Sequence, residues 1–417
     1  MRGTGEGIAR ALAALREDEG ALLDWLVRFV QTASVFDPVA GTTEEPAARL
    51  VHELLTGWGW SPLWEEAAPG RPNVVARRQG AIPGARHLIV EGHTDVVTPG
   101  EPSRWTHPPF AGVIADGKLH GRGTADMKAG LAAGLFAVRA IERAGVPFAG
   151  RITLAVVADE EGLMTGIKAF VARGHADGAT AALVCEPEGG RVCIAQKGVL
   201  RCRVTARGRM AHGAMPESGA NPVPALADFL HRCGELEQAI QADAGEHPYL
   251  GKFYLTPTVI AAGEAAQVNV ISDEAVAYLD IRTTPLTPHA PVLAHLRAAI
   301  RTVEAAYPGR TLLLDCFEDR PPTDTDPAEP LVAATVAAHR AEYGAVPPFG
   351  GVPGSTDGTI LWRERRIPIV VYGPGDVTIP HQVDEFVRID EVLASARVYV
   401  RAILGYLVRD EGPAPGA

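Results

Sequence analysis

No apolar run in the chain approaches the roughly 20 residues that a membrane-spanning helix needs, and no membrane association is expected. No CxxC pair occurs, and the five cysteines, Cys185, Cys193, Cys202, Cys233 and Cys316, are odd in number. Reduced thiols in a cytoplasm fit this better than a disulfide framework. The opening MRGTGEGIARALAALREDEG has no apolar core and carries acids throughout, so no signal peptide and a cytoplasmic location are expected. Basic excess is lacking as well: the net charge is −11. That argues against a nucleic-acid partner, because phosphate binding needs positive charge. Repeats of about 20–50 residues are absent, and the one biased tract is the tail 411–417 (EGPAPGA), expected to fray.

What is present is ordinary globular material, 47% hydrophobic and 21% charged. At 417 residues the chain exceeds one core, so two or three domains are expected. Apolar positions at helical spacing occur in 20–33 and 43–57. Strand-like runs then alternate with helical ones: NVVARR, HLIVEG, a helix over 126–144, RITLAVVA, a helix over 164–174, and AALVCE. This alternation predicts an α/β fold with a mostly parallel sheet flanked by helices. From residue 198 the pattern changes. GVLRCRVTARG alternates apolar and polar, as a strand with one exposed face does. Helix 222–241, FYLTPTVIAAG, EAVAYLDIRT, helix 289–306 and TLLLDCFED follow. The order β-α-β-β-α-β predicts an inserted α+β domain of split-βαβ type. The α/β pattern resumes with helix 328–343, IPIVVYG and helix 389–408. The expected division is a catalytic domain over 1–197 and 319–417 with the insertion at 198–318.

In open α/β sheets, ligands bind beyond the carboxyl ends of the strands. HLIVEG ends at His93 and Asp95, and GRGTAD puts Asp126 at the mouth of its helix. RITLAVVA ends at Asp159, Glu160 and Glu161, AALVC ends at Glu186, and IPIVVYG leads to His381. Any one of these alone is a surface or capping residue. Five elements delivering imidazole or carboxylate to one edge point instead to a metal site. Catalytic zinc takes about three protein ligands, so two imidazoles and three carboxylates suit two metals sharing a carboxylate. Asp95 is a candidate to accept the ring N–H of His93 and fix its tautomer. Glu160 and Glu161 diverge in direction, so one can ligate while the other acts as general base. Strand alternation turns Cys185 away from Glu186.

The chain resembles the dinuclear metallohydrolase family of acetylornithine deacetylase, succinyl-diaminopimelate desuccinylase, aminoacylase and carboxypeptidase G. The matching stretches are GHTDVV (92–97), LHGRGTADMKAG (119–130), ADEEG (158–162) and CEPE (185–188), then RMAHGAMPESGANP (209–222), DIRTTP (280–285), GSTDG (354–358) and GPGDVTIPHQVDEFV (373–387). The resemblance implies that His93 and Glu186 bind one metal and Glu161 and His381 the other, with Asp126 bridging. It implies Asp95 as the orienter of His93, Glu160 as general base, and a cis peptide after Asp126. It assigns His212 a reach across a homodimer into the partner's site, Asn269 and Arg282 the substrate carboxylate, and Ser355 and Thr356 the pocket wall. The cofactors implied are two divalent ions, zinc first, with cobalt or manganese as alternatives. Two departures stand out, DEEGLMTG for the usual paired glycines and Thr94 where Met or Leu is common, and neither removes a catalytic group.

Without the resemblance, His212 reads as an exposed loop residue, and Arg282 as the ion-pair partner of Asp280, which shares its strand face. The expected activity is removal of an acyl group from an N-acyl amino acid, such as N-acetylornithine or N-succinyl-diaminopimelate. A carboxypeptidase or dipeptidase of the same family is the alternative, since both reactions need an amide and an anchored carboxylate. An N-carbamoyl amino acid hydrolase and a catalytically silent relative rank below these.

Overall fold

Strand alternation decides how the sheet of the first unit is packed. In Ile82–His93, Leu88 and Val90 point into one apolar cluster, together with Ile152, Leu154, Val156, Leu183 and Val370 from neighbouring strands. The intervening Ile89, Ala155, Val157, Ala182 and Val371 are buried on the opposite side. A sheet buried on both faces reads as continuous apolar runs, which is why LIV and ITLAVV show no clean polar alternation. The computed structural model describes residues 2–407, and the tail 411–417 lies outside the described residues.

The centre of this sheet is parallel, in the order Ala149–Val157, Ile82–His93, Ala181–Val184, Ile369–Val371. The mostly parallel expectation holds there and gives way at the flanks. Leu63–Ala68 and Arg71–Gln79 form a hairpin, and a link that short allows only antiparallel pairing. Arg71–Gln79 also lies antiparallel to Ala149–Val157. On the other side Val192–Gln196 meets Ile369–Val371 antiparallel. Helices Arg2–Gln31, Ala129–Arg143 and Ile389–Leu407 pack on one another over the cluster of Leu88 and Val90. The first helix is far longer than the expected 20–33, because Ala11 and Leu15 continue its buried stripe toward the amino end. Its acids Glu17, exposed, and Asp18, largely covered, both pair with Arg143.

Contacts divide the chain into two compact units. The first comprises residues up to Ile194, Thr325–Gly350 and the stretch from Thr356 onward; the second is Ala195–Asp324 with Gly351–Ser355. The second unit has a four-stranded antiparallel sheet in the order Tyr254–Ala262, Glu274–Thr283, Gly198–Arg207, Thr311–Arg320. Leu200, Cys202, Val204 and Ala206 alternate into its core with Ala275, Ala277, Leu279 and Ile281. Helices Pro222–Ala244 and His289–Ala306 bury their apolar faces in the same cluster. The expectation of five reduced thiols fails here: Cys202 and Cys316 form a disulfide. They stand directly opposite in register on adjacent strands, a placement that 114 residues of separation hide from the sequence. Cys185, Cys193 and Cys233 are free and buried. No helix among the described residues is long and apolar enough to cross a membrane.

One buried histidine of the first sheet ties stability to pH. His87 is 2% exposed. Arg151 donates to its Nδ1 at 2.8 Å, so Nε2 carries the proton and donates to Thr153 Oγ1 at 2.8 Å. Burial, then the charge of Arg151, pushes its pKa down to about 4. The folded protein keeps the ring neutral while the unfolded chain protonates it below about pH 6.5. The contribution is therefore complete above that pH and is lost as pH falls toward 4, with a ceiling of about 3 kcal/mol. His87→Asn keeps one acceptor and one donor but cannot titrate. In urea unfolding at pH 7, 5.5 and 4, wild type is expected to lose stability relative to this variant; parallel curves would rule His87 out.

Candidate metal centre

Each candidate side chain sits where a strand or turn of the first unit ends. His93 closes the strand Ile82–His93 and is fully buried. Its Nδ1 lies 3.0 Å from the main-chain oxygen of Asp95 and 3.5 Å from that residue's carboxylate. The ring is thus oriented chiefly by a backbone carbonyl. The Asp95 carboxylate has another task, accepting the amides of Glu160 at 3.2 Å and Glu161 at 3.0 Å. Beyond the strand Ala149–Val157 the chain turns sharply, with Asp159 at φ 67°. Glu160 and Glu161 then point to different places, as adjacent residues must.

Asp126 stands on an irregular turn ahead of helix Ala129–Arg143, and the peptide after it is cis. Glu385 shapes that turn: its Oε1 accepts the amides of Ala125 at 2.9 Å and Asp126 at 3.2 Å, and its other oxygen pairs with Arg122. Gly123 is required, since its φ is 83° and a Cβ would collide with Val96. Gly130 lets the helix approach the chain at Cys185, whose carbonyl occupies the place of a Cβ. Glu186 follows the strand Ala181–Val184, and His381 lies on the loop after Ile369–Val371 at φ 66°.

These elements build two donor sets, His93 with Glu160 and Glu186, and Asp126 with Glu161 and His381. Within each set the ligand atoms lie within 4.8 Å of one another. Asp126 joins the two. Its Oδ1 is 3.1 Å from His93 Nε2, and its Oδ2 is 3.3 Å from His381 Nε2. Glu186 Oε1 stands 3.5 Å from His93 Nε2, and Glu161 Oε1 2.9 Å from His381 Nε2.

The electrostatics follow from acids crowded out of water. Burial, then the charge of Asp126, pushes Glu186 up to about 8. Burial also raises Glu160 well above the carboxylate range and lifts Glu161. Burial would lower the His93 imidazole, but Asp126 and Glu186 outweigh it and hold the ring well above its ordinary value. Asp126 and Glu161 raise His381 to about 10. Asp126 goes the other way: burial opposes its charge, but two imidazoles stabilise it and its pKa falls. Imidazole and carboxylate donors fit zinc, cobalt or manganese. Two divalent cations are also the compensation that so many confined carboxylates call for.

His212, Asn269, Arg282 and Ser355 belong to the second unit. His212 is exposed on a ribbon where Ala211–His212 pairs with Val270–Ile271, and Gly213 donates to the Asn269 carbonyl. Ala214 donates to His212 Nδ1 at 3.0 Å. Arg282 is engaged with Asp280, its Nε and terminal nitrogen at 2.6 and 3.2 Å from the two carboxylate oxygens. Thr356, in the first unit, is buried and its hydroxyl accepts the amide of Gly358 at the start of helix Gly358–Arg365. Sequence reasoning passed over Glu385, whose buried carboxylate orders the Asp126 turn. It also missed Glu91, 1% exposed, whose pKa burial and the Glu186 charge hold far up. A signal for Glu91 existed, because period two sets it on the face of His93.

Two donor sets joined through one carboxylate at the carboxyl edge of a parallel sheet define the class of hydrolases that work with two divalent cations. The chain belongs to peptidase family M20/M25/M40, whose model matches residues 89–405, and is a hydrolase of amide bonds. It is 33% identical over 378 residues to a succinyl-diaminopimelate desuccinylase of a Methylobacterium species, covering 87% of this chain and 92% of that one. Its fold matches an M20 family metallo-carboxypeptidase from Sulfolobus solfataricus, with TM-score 0.75 and 17% identity over 93% of this chain and 99% of that one. It also matches a dinuclear metal-binding M20 peptidase from Bacillus subtilis, with TM-score 0.68 and 16% identity over 94% and 99%.

Proposed function

We propose that the protein removes the acyl group from an N-acyl amino acid, with zinc as the native metal. The observation that carries this is the pair of donor sets linked by Asp126, one of them containing the buried Glu160. His93 and Glu186 would hold one cation, Glu161 and His381 the other, and Asp126 both. Bound there, the cations supply Lewis acidity, polarising an amide carbonyl and acidifying a water. Glu160 receives the proton of the attacking water and returns it to the leaving amine. The Asp95 carboxylate, by holding two successive amides, keeps Glu160 and Glu161 aimed apart.

A homodimer completes the reading. The strand Tyr254–Ala262 is an edge of its sheet, and Val259 and Ile260 on it are 50% and 61% exposed. An apolar, unpaired edge is a template for a second chain. His212 of each subunit would then serve the other subunit's site as donor to the tetrahedral oxyanion. Arg282 and Asn269 would hold the substrate carboxylate. Arg282 must share its guanidinium with Asp280, which orients the fork for an incoming carboxylate.

The second reading is a carboxypeptidase or dipeptidase. The desuccinylase relative, at 33% identity, favours deacylation. The test is a kcat/KM screen of the metal-loaded enzyme with N-acetyl, N-succinyl and N-formyl amino acids beside dipeptides. Preference for one acyl class by about ten-fold or more over every dipeptide is expected. The reverse order would make the protein a peptidase.

A further inference from the structure

Beneath the turn that carries Glu160 lies a charged assembly that no step above uses. Asp159, the residue before Glu160, is 1% exposed and adopts a left-handed backbone. Its Oδ2 accepts the amide of Thr165 at 3.1 Å and that residue's hydroxyl. Its main-chain oxygen accepts the amide of Met164 at 2.6 Å. Gly162 closes the turn over it; a Cβ there would run into Asp159 Oδ1. That same Oδ1 stands 2.7 Å from a terminal nitrogen of Arg71.

Arg71 opens the strand Arg71–Gln79 and reaches under the turn with an 11% exposed side chain. Its Nε donates to Glu44 Oε1 at 2.8 Å, its second terminal nitrogen meets the same oxygen, and its guanidinium lies 3.8 Å from the centre of the Phe36 ring. Glu44 is fully buried at the head of helix Glu45–Gly57. One guanidinium therefore ties together a helix, a strand and the turn of the proton carrier. A planar fork spanning two carboxylates fixes direction as well as distance, which an ammonium cannot do.

We propose that Arg71 is a positioning residue for the reaction: through Asp159 it sets the turn that aims Glu160 at the reacting atoms. Arg71 itself touches none of them. The proposal rests on the reading of Glu160 as the proton carrier. Asp95 clamps the turn from its amide side, and Arg71 clamps it from the side chain of Asp159. Displacing a catalytic group by about 1 Å costs on the order of 10²-fold in rate, so loss of one clamp reads out in kcat.

The test compares Arg71→Met, Asp159→Asn and the double variant, with kcat, KM, bound metal and thermal midpoint measured for each. Each single change is expected to lower kcat by about 10–100-fold with KM within about three-fold. Bound metal is expected to stay at the wild-type level. The double variant should be no slower than the slower single, since both break the same contact. Arg71→Lys, able to reach one carboxylate, should fall between. Because Arg71→Met leaves Glu44 buried and unpaired, Arg71→Met with Glu44→Gln keeps the comparison on a folded protein. Folded variants with kcat within about two-fold of wild type would overturn the proposal, as would multiplicative losses in the double variant. So would a fall in kcat that tracks loss of metal. Glu160→Gln assayed alongside separates the two readings. If it is nearly inactive while Arg71→Met is normal, only the positioning role falls; if it stays active, the proton-carrier reading falls and this one with it.

Discussion

Glu160→Gln is expected to lower kcat by about 10²–10⁴-fold, the range attributed to a positioned proton carrier. Glutamine keeps the length and shape of the side chain but cannot take a proton from water. The main-chain amide of Glu160 is what Asp95 holds, so the turn should survive the change. Asp126, Glu161, Glu186 and both imidazoles remain, so bound metal should remain near the wild-type level. Because Glu160 lies within reach of His93 and Glu186, a role as ligand rather than base is the competing account. Metal analysis decides between them. Inactivity with full metal content marks a proton carrier; loss of one cation together with activity marks a ligand; near-normal turnover removes Glu160 from the mechanism.

The second large effect concerns His212. His212→Ala is expected to reduce kcat by about 10²-fold, as removal of one oxyanion donor does. Its side chain is exposed and accepts only the amide of Ala214 in the contacts described, so the fold should tolerate the change. The decisive version mixes His212→Ala subunits with Glu160→Gln subunits. If the histidine serves the partner's site, a mixed dimer has one site lacking both groups and one site lacking neither. With random exchange in a two-fold dimer, activity should recover to about one quarter of wild type from two nearly inactive parents. Exchange is followed by differently tagged subunits. Demonstrated exchange without recovery would show that His212 does not act in trans.

Legibility of the sequence followed the range of the interactions. Two of the second unit's four long strands, Gly198–Arg207 and Glu274–Thr283, were readable nearly to the residue, because a sheet with one covered face writes its burial as alternation, and both helices showed their apolar spacing. The hairpin Leu63–Ala68 and Arg71–Gln79 was half read: NVVARR was recognised, but LWEEAA carries two acids and no apolar stripe. The long first helix was cut short because its amino-terminal half covers the core mostly with alanine and scattered leucine. For Arg282 the plainer sequence reading, a partnership with Asp280, is the contact present. Asp95 looked like the carboxylate partner of His93, and its nearer bonds are instead to the amides of Glu160 and Glu161.

By itself the amino-acid order determined the alternating α/β plan, the strand ends at which imidazoles and carboxylates emerge, and the need of adjacent Glu160 and Glu161 for different tasks. Those follow from periodicity and strand polarity, which are local. Tertiary structure alone decided that Asp126 turns one oxygen to each imidazole, that Glu385 shapes its turn, and that Cys202 meets Cys316. It alone put Arg71 beneath Asp159. Each joins groups dozens to hundreds of positions apart, and only the register of the strands and the packing of helices on them set such distances.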